Sequence, residues 1–364
     1  MRTWKRFKPS RAQLLSGALI LSAAMLAYAV PNVFTAGTTV SAAQMNANFA
    51  DVEARIAALE ARLASVSNVT VNGQPTVRFS GVNVQVVNGM NATNTANGTG
   101  NLIVGYDEAD TSGATRCTIG TNPTTGTIVV DGPTCTAAGG DFTGVGFKTG
   151  SHYVVLGSEN NYSRWGGLLA GFQNTGNYDY AVVSGGSNNI ASGLYAGVSG
   201  GYDNWASGPQ ASVSGGGRNR APGAQASVSG GYGLIASGSY ASAHGGINNT
   251  ASGAYASITG GFANTASGTY ASVSGGNGNT ASGPQSSVSG GNLNVASGTV
   301  ASVSGGASNT ASGVSASVSG GNGNTASGGS NSVSGGSGCN FGAAVGNKWV
   351  VGTPAGGCSA TLGN

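Results

Sequence analysis

The C-terminal half of the chain repeats one sequence frame at a constant period. The frame, Ala-Ser-Val-Ser-Gly-Gly-x-x-Asn-x-Ala-Ser-Gly-x-x, recurs from Ala181 onward with small variations. Its third residue forms a series with a period of 198 − 183 = 15: Val183, Val198, Val213, Val228, Ala243, Ile258, Val273, Val288, Val303, Val318 and Val333. A constant period indicates one small structural unit stacked many times. We therefore number the frame from Ala181 as position 1 and name each copy a rung.

The pattern within a rung predicts two short strands and two turns. Positions 1 and 3 are small or apolar and positions 2 and 4 are mostly serine, which is the alternation of a strand with one buried face. Glycine at positions 5, 6 and 13 is typical of tight turns. Position 9 is asparagine in every rung from Asn189 to Asn324 except one, where Leu234 replaces it. A column of stacked asparagines predicts a hydrogen-bonded ladder. Alanine at position 11 predicts a crowded interior, so the fold class is all-β, a solenoid of these short repeats.

Composition supports an ordered but uncharged surface. The chain has 67 glycines in 364 residues and only 7% charged residues, and glycine does not fall at every third position, which excludes collagen. Between 181 and 333 the formal charges are Asp203, Arg218 and Arg220. Such a surface is expected to bind by hydrogen bonds and shape.

The segment 1–29 has the pattern of a secretory signal peptide. A basic stretch ending at Arg11 precedes an apolar stretch from Leu14 to Ala29, and Ala27-Tyr28-Ala29 fits a cleavage site. An uncleaved membrane anchor is the alternative. Cleavage removes 5 of the 14 basic residues and none of the 11 acidic ones, leaving 9 − 11 = −2. We therefore expect a secreted or cell-surface bacterial protein, with an association with the outer membrane as one option and no nucleic-acid partner.

A linker over 30–40 leads to a predicted coiled-coil helix over 41–67. Ser41 and Gln44 form a capping box, and the apolar residues that follow are spaced alternately by four and three. These residues form the predicted oligomerisation seam, to which Met45 also contributes: Phe49, Val52, Ile56, Leu59, Leu63 and Val66. With Phe49 at heptad position a, Arg55 of one chain faces Glu60 of a parallel neighbour, and large residues at a and d favour a homotrimer. The alternative is a helix packed on its own domain.

Two further segments surround the repeats. Short β-branched runs predict a β-rich module over 68–150. The stretch 151–180 contains looser repeats, whose step, 14 or 15, is open. The repeat region is predicted over 151–338 and a cap over 339–364. The cysteines suit an oxidising compartment, and local pairing predicts disulfides Cys117–Cys135 and Cys339–Cys358, one of three possible connectivities.

The frame Ser-Val-Ser-Gly-Gly-x-x-Asn-x-Ala-Ser-Gly resembles the head repeats of YadA-like trimeric autotransporter adhesins. The resemblance covers about 151–338 and implies a left-handed parallel β-roll in which three chains wind together, with an adhesive role. The period of the family's repeat is nearer 14 than 15, and a stalk and a membrane barrel follow its head. Here the heptad helix precedes the repeats and no barrel-like strands follow them, so the resemblance does not imply a barrel anchor.

The sequence predicts no catalytic residues, metal site or cofactor. The histidines are His152 and His244, and His244 replaces an outward serine of the frame. Aromatic residues offer the candidate surface-binding set, since Tyr195, Tyr240, Tyr255 and Tyr270 share position 15. Stacking between rungs would explain these tyrosines equally well.

We therefore expect a structural or adhesin-like protein that presents a repetitive uncharged surface to an extracellular surface, matrix or glycan. One alternative is an ice- or surface-binding solenoid, suggested by threonine at position 10 in several rungs. The other is a protein resembling a phage tail fibre, against which the signal peptide argues.

Overall fold

The computed structural model describes residues 31–105, 116–117, 142–143, 148–341, 348–352 and 358–362. The chain divides near residue 85 into two compact units. The predicted signal peptide lies outside the described residues. Within the described part of the chain, no helix combines the length and the apolar character needed to cross a bilayer.

The described residues of the first unit form one helix and one hairpin. Helix α1, Ala42–Leu63, begins at the predicted capping box: Ser41 Oγ accepts from the Gln44 N–H at 3.2 Å, and Gln44 Oε1 accepts from the Ser41 N–H at 3.1 Å. Strands β1, Val66–Val71, and β2, Gln74–Phe79, then pair antiparallel around Asn72 and Gly73. Both turn residues have positive φ, 49° and 79°, as in the Asn-Gly turns that suit the twist of a hairpin.

The second unit is a parallel β-solenoid of about 13 rungs, which confirms the predicted fold class. Two sheets run along it. The first is built from position 2–3 strands and the second from position 10–11 strands, and each strand pairs in parallel with its counterpart one rung away. A single bridging residue at position 7 links successive rungs between the two sheets, as in Ser187–Tyr202.

The strand bounds follow the repeat. The valine sheet contains Leu102–Val104, Ser151–Ser158, Trp165–Phe172, Val182–Val183, Gly197–Val198, Ser212–Val213, Ser227–Val228, Ser242–Ala243, Ser257–Ile258, Ser272–Val273, Ser287–Val288, Ser302–Val303, Ser317–Val318, Ser332–Val333, Lys348–Gly352 and Cys358–Leu362. The alanine sheet contains Asn161–Tyr162, Thr175–Gly176, Ile190–Ala191, Trp205–Ala206, Arg220–Ala221, Ile235–Ala236, Thr250–Ala251, Thr265–Ala266, Thr280–Ala281, Val295–Ala296, Thr310–Ala311, Thr325–Ala326 and Asn340–Phe341. A separate short pair joins Arg116–Cys117 and Phe142–Thr143.

The step between rungs lengthens by one residue near the start of the regular repeat. Leu169 pairs with Val183, a step of 183 − 169 = 14, whereas Phe172 pairs with Ser187, a step of 187 − 172 = 15. The additional residue therefore enters just after the inward valine. Rungs without it have longer strands, as in Trp165–Phe172, and rungs with it have short strands followed by a corner, as in Val182–Val183. One inserted residue bends a strand because it has no partner opposite it.

The interior is a narrow column of small side chains. Val183 and its copies are at most 1% exposed, and position 11 alanines such as Ala191 are fully buried, as predicted. The outward serine at position 4 is exposed in most rungs, as at Ser184. A typical rung thus buries one branched side chain and two alanines, as with Val273, Ala271 and Ala281, which is a small apolar area for its length.

The ends of the stack differ from its middle. At the start, Leu102–Val104 pairs in parallel with Ser151–Ser158, so the solenoid includes a strand from the segment predicted as a separate β-rich module. At the other end, Lys348–Gly352 pairs in parallel with Ser332–Val333 and then antiparallel with Cys358–Leu362. Reversing direction ends the parallel stacking. Open sheet edges invite association with other chains, so this hairpin protects the edge as a cap.

Candidate functional site

The outer columns of the solenoid are held in place by the position 9 asparagines, which are fully buried. The backbone N–H of Asn279 donates to Asn264 Oδ1 at 2.9 Å, and its Nδ2 donates to the carbonyls of Gly275 at 2.8 Å and Gly291 at 3.0 Å. The same set recurs at the other position 9 asparagines, except that Asn249, one rung after Leu234, has of this set only the two bonds that its side chain donates. The predicted ladder therefore exists, but side chains bond mainly to backbone, and each one ties a corner glycine of its own rung to that of the next.

Leu234 and Cys339 occupy the same column without this side-chain chemistry. The Leu234 N–H still donates to Asn219 Oδ1 at 2.9 Å, but the leucine side chain, fully buried, offers nothing to the next rung. The Cys339 N–H donates to Asn324 Oδ1 at 2.9 Å and its sulfur is bonded to Cys358. The last place in the ladder is thus a covalent link to the capping hairpin, and this predicted disulfide is present. Cys135 lies outside the described residues, so its pairing with Cys117 stays a prediction.

Close approach of neighbouring rungs explains the glycine at position 13. A Cβ on Gly268 would lie 2.6 Å from the carbonyl carbon of Gly283 and 2.9 Å from the Ser282 oxygen, both backbone atoms of the next rung. A Cβ on Gly260, at position 5 of the same rung, would meet nothing within 4 Å. Of the adjacent pair, Gly261 at position 6 has φ of 91° and needs glycine. The sequence pattern did not distinguish these three positions.

The predicted surface tyrosines form a stacked column at position 15. The ring centroids of Tyr240 and Tyr255 are 4.7 Å apart, as are those of Tyr255 and Tyr270, with interplanar angles of 3° and 10°. Tyr195 stacks on Tyr180 at 5.0 Å. All four predicted tyrosines remain about half exposed. Stacking between rungs is therefore real, and within the column the rings present their edges and hydroxyl groups to solvent.

The backbone aims these side chains outward. Tyr255 has φ of 59°, in the left-handed region, and its N–H donates to the Ser239 carbonyl of the preceding rung at 2.9 Å. The same conformation recurs at position 15 when glutamine, valine or serine is present, as at Gln285 and Val300. The hydrogen bond to the neighbouring rung offsets the cost of positive φ in a residue with a Cβ. The regular backbone of the stack, rather than the identity of the residue, therefore makes the position 15 side chains point outward.

Two other outer columns carry apolar and hydroxyl groups. Position 7 presents Tyr202, Tyr232, Ile247 and Phe262, each about half exposed. Position 10 presents threonine from Thr250 to Thr325 except at Val295, on the outer face of the alanine sheet. Both columns lie on the same rungs as the tyrosine column, so this part of the solenoid presents uncharged columns of aromatic, aliphatic and hydroxyl side chains.

The three charged residues of the repeat lie together. Asp203 Oδ2 is 3.7 Å from an Arg220 terminal nitrogen and 3.9 Å from Arg218 Nε. Arg220 also donates to the Asp203 carbonyl at 2.8 Å and lies over the Trp205 ring at 4.6 Å. Desolvation lowers the pKa of Arg220, an effect that neighbouring Asp203 opposes. The spacing of these charges along the sequence does not reveal the cluster, because their proximity depends on the register of the stacked rungs.

The predicted oligomerisation seam is exposed in the described part of the chain. No residue of helix α1 is buried; Phe49, Ile56, Leu59 and Leu63 are each about half exposed or more, and Val52 is 40% exposed. The helix ends at Leu63, so Val66 lies in strand β1 and the helical seam is one position shorter than predicted. Arg55 pairs with Asp51 of the same helix at 3.7 Å.

Tyr153 is buried at the start of the solenoid, where its hydroxyl lies 3.1 Å from the Ser163 carbonyl, and burial raises its pKa above the usual range. His244 is exposed at position 4, as predicted. Among the described residues, no cluster of three or more His, Cys, Asp or Glu side chains could hold a metal ion.

Comparison of the sequence with models of known families and with curated proteins found no match.

Proposed function

We propose that this chain is a secreted or surface-displayed bacterial protein with a structural, adhesin-like role, in which the solenoid presents its outer columns for attachment. The observation that supports this proposal most directly is the tyrosine column, where three stacked rings are each about half exposed. A rigid array of repeated groups suits a repetitive extracellular surface, such as a matrix or a glycan, because weak contacts add up when many sites engage together. The resemblance of the frame to adhesin head repeats agrees with this role.

Replacing Tyr240, Tyr255 and Tyr270 together by glutamine is expected to weaken attachment by about tenfold or more, since aromatic anchors commonly dominate binding surfaces. Glutamine occupies the same column at Gln210, Gln225 and Gln285 with the same backbone conformation, so the fold should persist. Retention of the processed protein on immobilised chitin, cellulose, alginate and matrix extract measures the effect.

A threonine variant serves as the matched control. Serine in place of Thr250, Thr265 and Thr280 changes the same number of side chains over an overlapping stretch but keeps every hydroxyl group of the position 10 column. Its attachment should therefore stay near that of the wild type. Equal attachment of the tyrosine variant and the wild type on every surface would contradict the proposal, as would failure of the wild type to bind any of them. Circular dichroism confirms that each variant keeps its β structure.

We also propose that the active form is a homotrimer assembled through α1, in line with the left-handed trimeric roll that the resemblance implies. The apolar seam keeps heptad spacing and is exposed in the single chain, where burial against sister helices would remove it from water. In a parallel in-register assembly, Arg55 can exchange its partner Asp51 for Glu60 of the neighbour. Three heptads give a marginal coiled coil alone, so the solenoids would add contacts.

Aspartate in place of Leu59, at heptad position d, is expected to convert the trimer to a monomer, because it places a charge in each seam. Aspartate in place of Ala61, at the outward position f, introduces the same charge into the same helix and should leave the trimer intact. Light scattering coupled to size exclusion gives the mass of each variant. A monomeric wild type, or loss of the trimer in the Ala61 variant alone, would contradict the assignment.

A further inference from the structure

The repeat region gathers its formal charge at one place. Asp203 and Arg218 are at position 8 of neighbouring rungs, and Arg220 is two residues further on. Strand pairing places Trp205 beside Arg220, and bridging places Gly217 between Tyr202 and Tyr232. Two arginines and one aspartate leave a formal charge of +1 on this patch, and the rest of 181–333 carries none.

The carboxylate of Asp203 lies between the guanidinium groups of Arg218 and Arg220, but it is too far from either one for a hydrogen bond. Its distances to the two arginines, 3.7 and 3.9 Å, exceed the usual 2.7 to 2.9 Å of a charge-assisted hydrogen bond. Arg220 is the less exposed arginine, stacked on Trp205 and bonded to a backbone carbonyl. Its role is structural, since it joins two rungs.

Arg218 is the charged residue of this patch that is available to bind a ligand. Its side chain is 58% exposed, lies 5.7 Å from the Tyr232 ring centroid, and makes no hydrogen bond among the described residues. A guanidinium has five donors in a planar fork that matches carboxylate and sulfate oxygens. Glycine at 217 leaves room for the Tyr232 ring, which a Cβ there would approach to 3.2 Å. The patch thus combines an open cationic fork with aromatic side chains on a linear surface.

We propose that Arg218, supported by Arg220 and flanked by Tyr202 and Tyr232, binds the acidic group of an anionic polysaccharide. The proposal rests on the adhesive function and gives its ligand a chemical class. An acidic sugar fits this patch for two reasons. The Arg218 guanidinium binds the carboxylate or sulfate group, and the exposed aromatic side chains contact the apolar face of the sugar ring. A nucleic acid fits poorly, because its affinity requires many neutralised phosphates and the patch offers two cations.

Substitutions of Arg218 and Asp203 are expected to change the affinity for the polysaccharide in opposite directions, which tests the proposal. Glutamine in place of Arg218 removes the fork and is expected to weaken binding about three- to tenfold, the range for a partly exposed charged contact. Asparagine in place of Asp203 removes the competing carboxylate at almost the same size and is expected to strengthen binding. A purely structural cluster would instead lose stability in both variants and gain affinity in neither.

Calorimetric titration of the full chain with soluble alginate, dextran sulfate, neutral dextran and double-stranded DNA measures these changes. Binding of alginate alone assigns a carboxylated sugar, and binding of dextran sulfate in addition assigns any anionic sugar. No binding, equal binding of neutral dextran, preference for DNA, or an Asp203 variant weaker than wild type would overturn the inference. Thermal melts show whether each variant is folded. The tyrosine variant separates the two proposals, because attachment that depends on the tyrosines but not on Arg218 leaves the adhesive function intact.

Discussion

Alanine in place of Gly268 is expected to break the solenoid into two stretches that unfold separately. The added Cβ would overlap backbone atoms of the next rung around Gly283, which cannot move without disturbing the pairing of both sheets. Overpacking of this kind costs about 3 kcal/mol. In a repeat protein each rung depends on its neighbours, so a local break lowers cooperativity along the whole stack. Circular dichroism melts should change from one transition to two.

Alanine in place of Gly260 is the matched control for that prediction. It makes the same change in the same rung, but its Cβ would enter open space and its φ lies outside the left-handed region. We expect its melt to match the wild type or to rise slightly, because alanine restricts the unfolded chain. Equal destabilisation by both alanines would show that the close approach at position 13 does not hold the rungs.

Alanine in place of Asn279 is expected to destabilise the chain by about 2 to 6 kcal/mol, since buried polar groups left without partners cost roughly 1–3 kcal/mol each. The Gly275 carbonyl loses its donor and the Asn294 N–H loses its acceptor, whereas the Gly291 carbonyl still accepts from the Asn277 N–H. Hydrogen exchange should accelerate most for the amides of the two neighbouring rungs and little at the ends of the stack. Uniform acceleration along the solenoid would contradict a local ladder.

Leu234 provides the comparison within the chain. Leucine in place of Asn279 reproduces the natural exception, removing the hydrogen bonds but filling the space, so its effect should be smaller than that of alanine. Asparagine in place of Leu234 would gain partners at about 1 kcal/mol each and lose about 2 kcal/mol of apolar burial, a nearly neutral exchange. A large loss in this variant would indicate that Leu234 has a packing role of its own.

The sequence determined the repeat unit and much of its interior. The constant period, the inward valine and the buried alanine were predictable because alternation along a strand and constant spacing leave few other arrangements. The capping box and the start of α1 were equally clear from Ser41 and Gln44. The end of α1 was not, because Val66 continues the heptad spacing although it belongs to a hairpin strand.

Only the tertiary structure decided which residues of neighbouring rungs contact each other. The ladder runs mainly through glycine carbonyls and backbone N–H groups, because the corners bring these backbone groups within reach of each asparagine side chain. Gly260 and Gly268 look alike in the sequence, and only stacking makes one indispensable. Asp203, Arg218 and Arg220 became one patch, and Leu102–Val104 became a solenoid strand, for the same physical reason: contacts between successive rungs join residues a full repeat or more apart, and their distances depend on the register of the assembled stack.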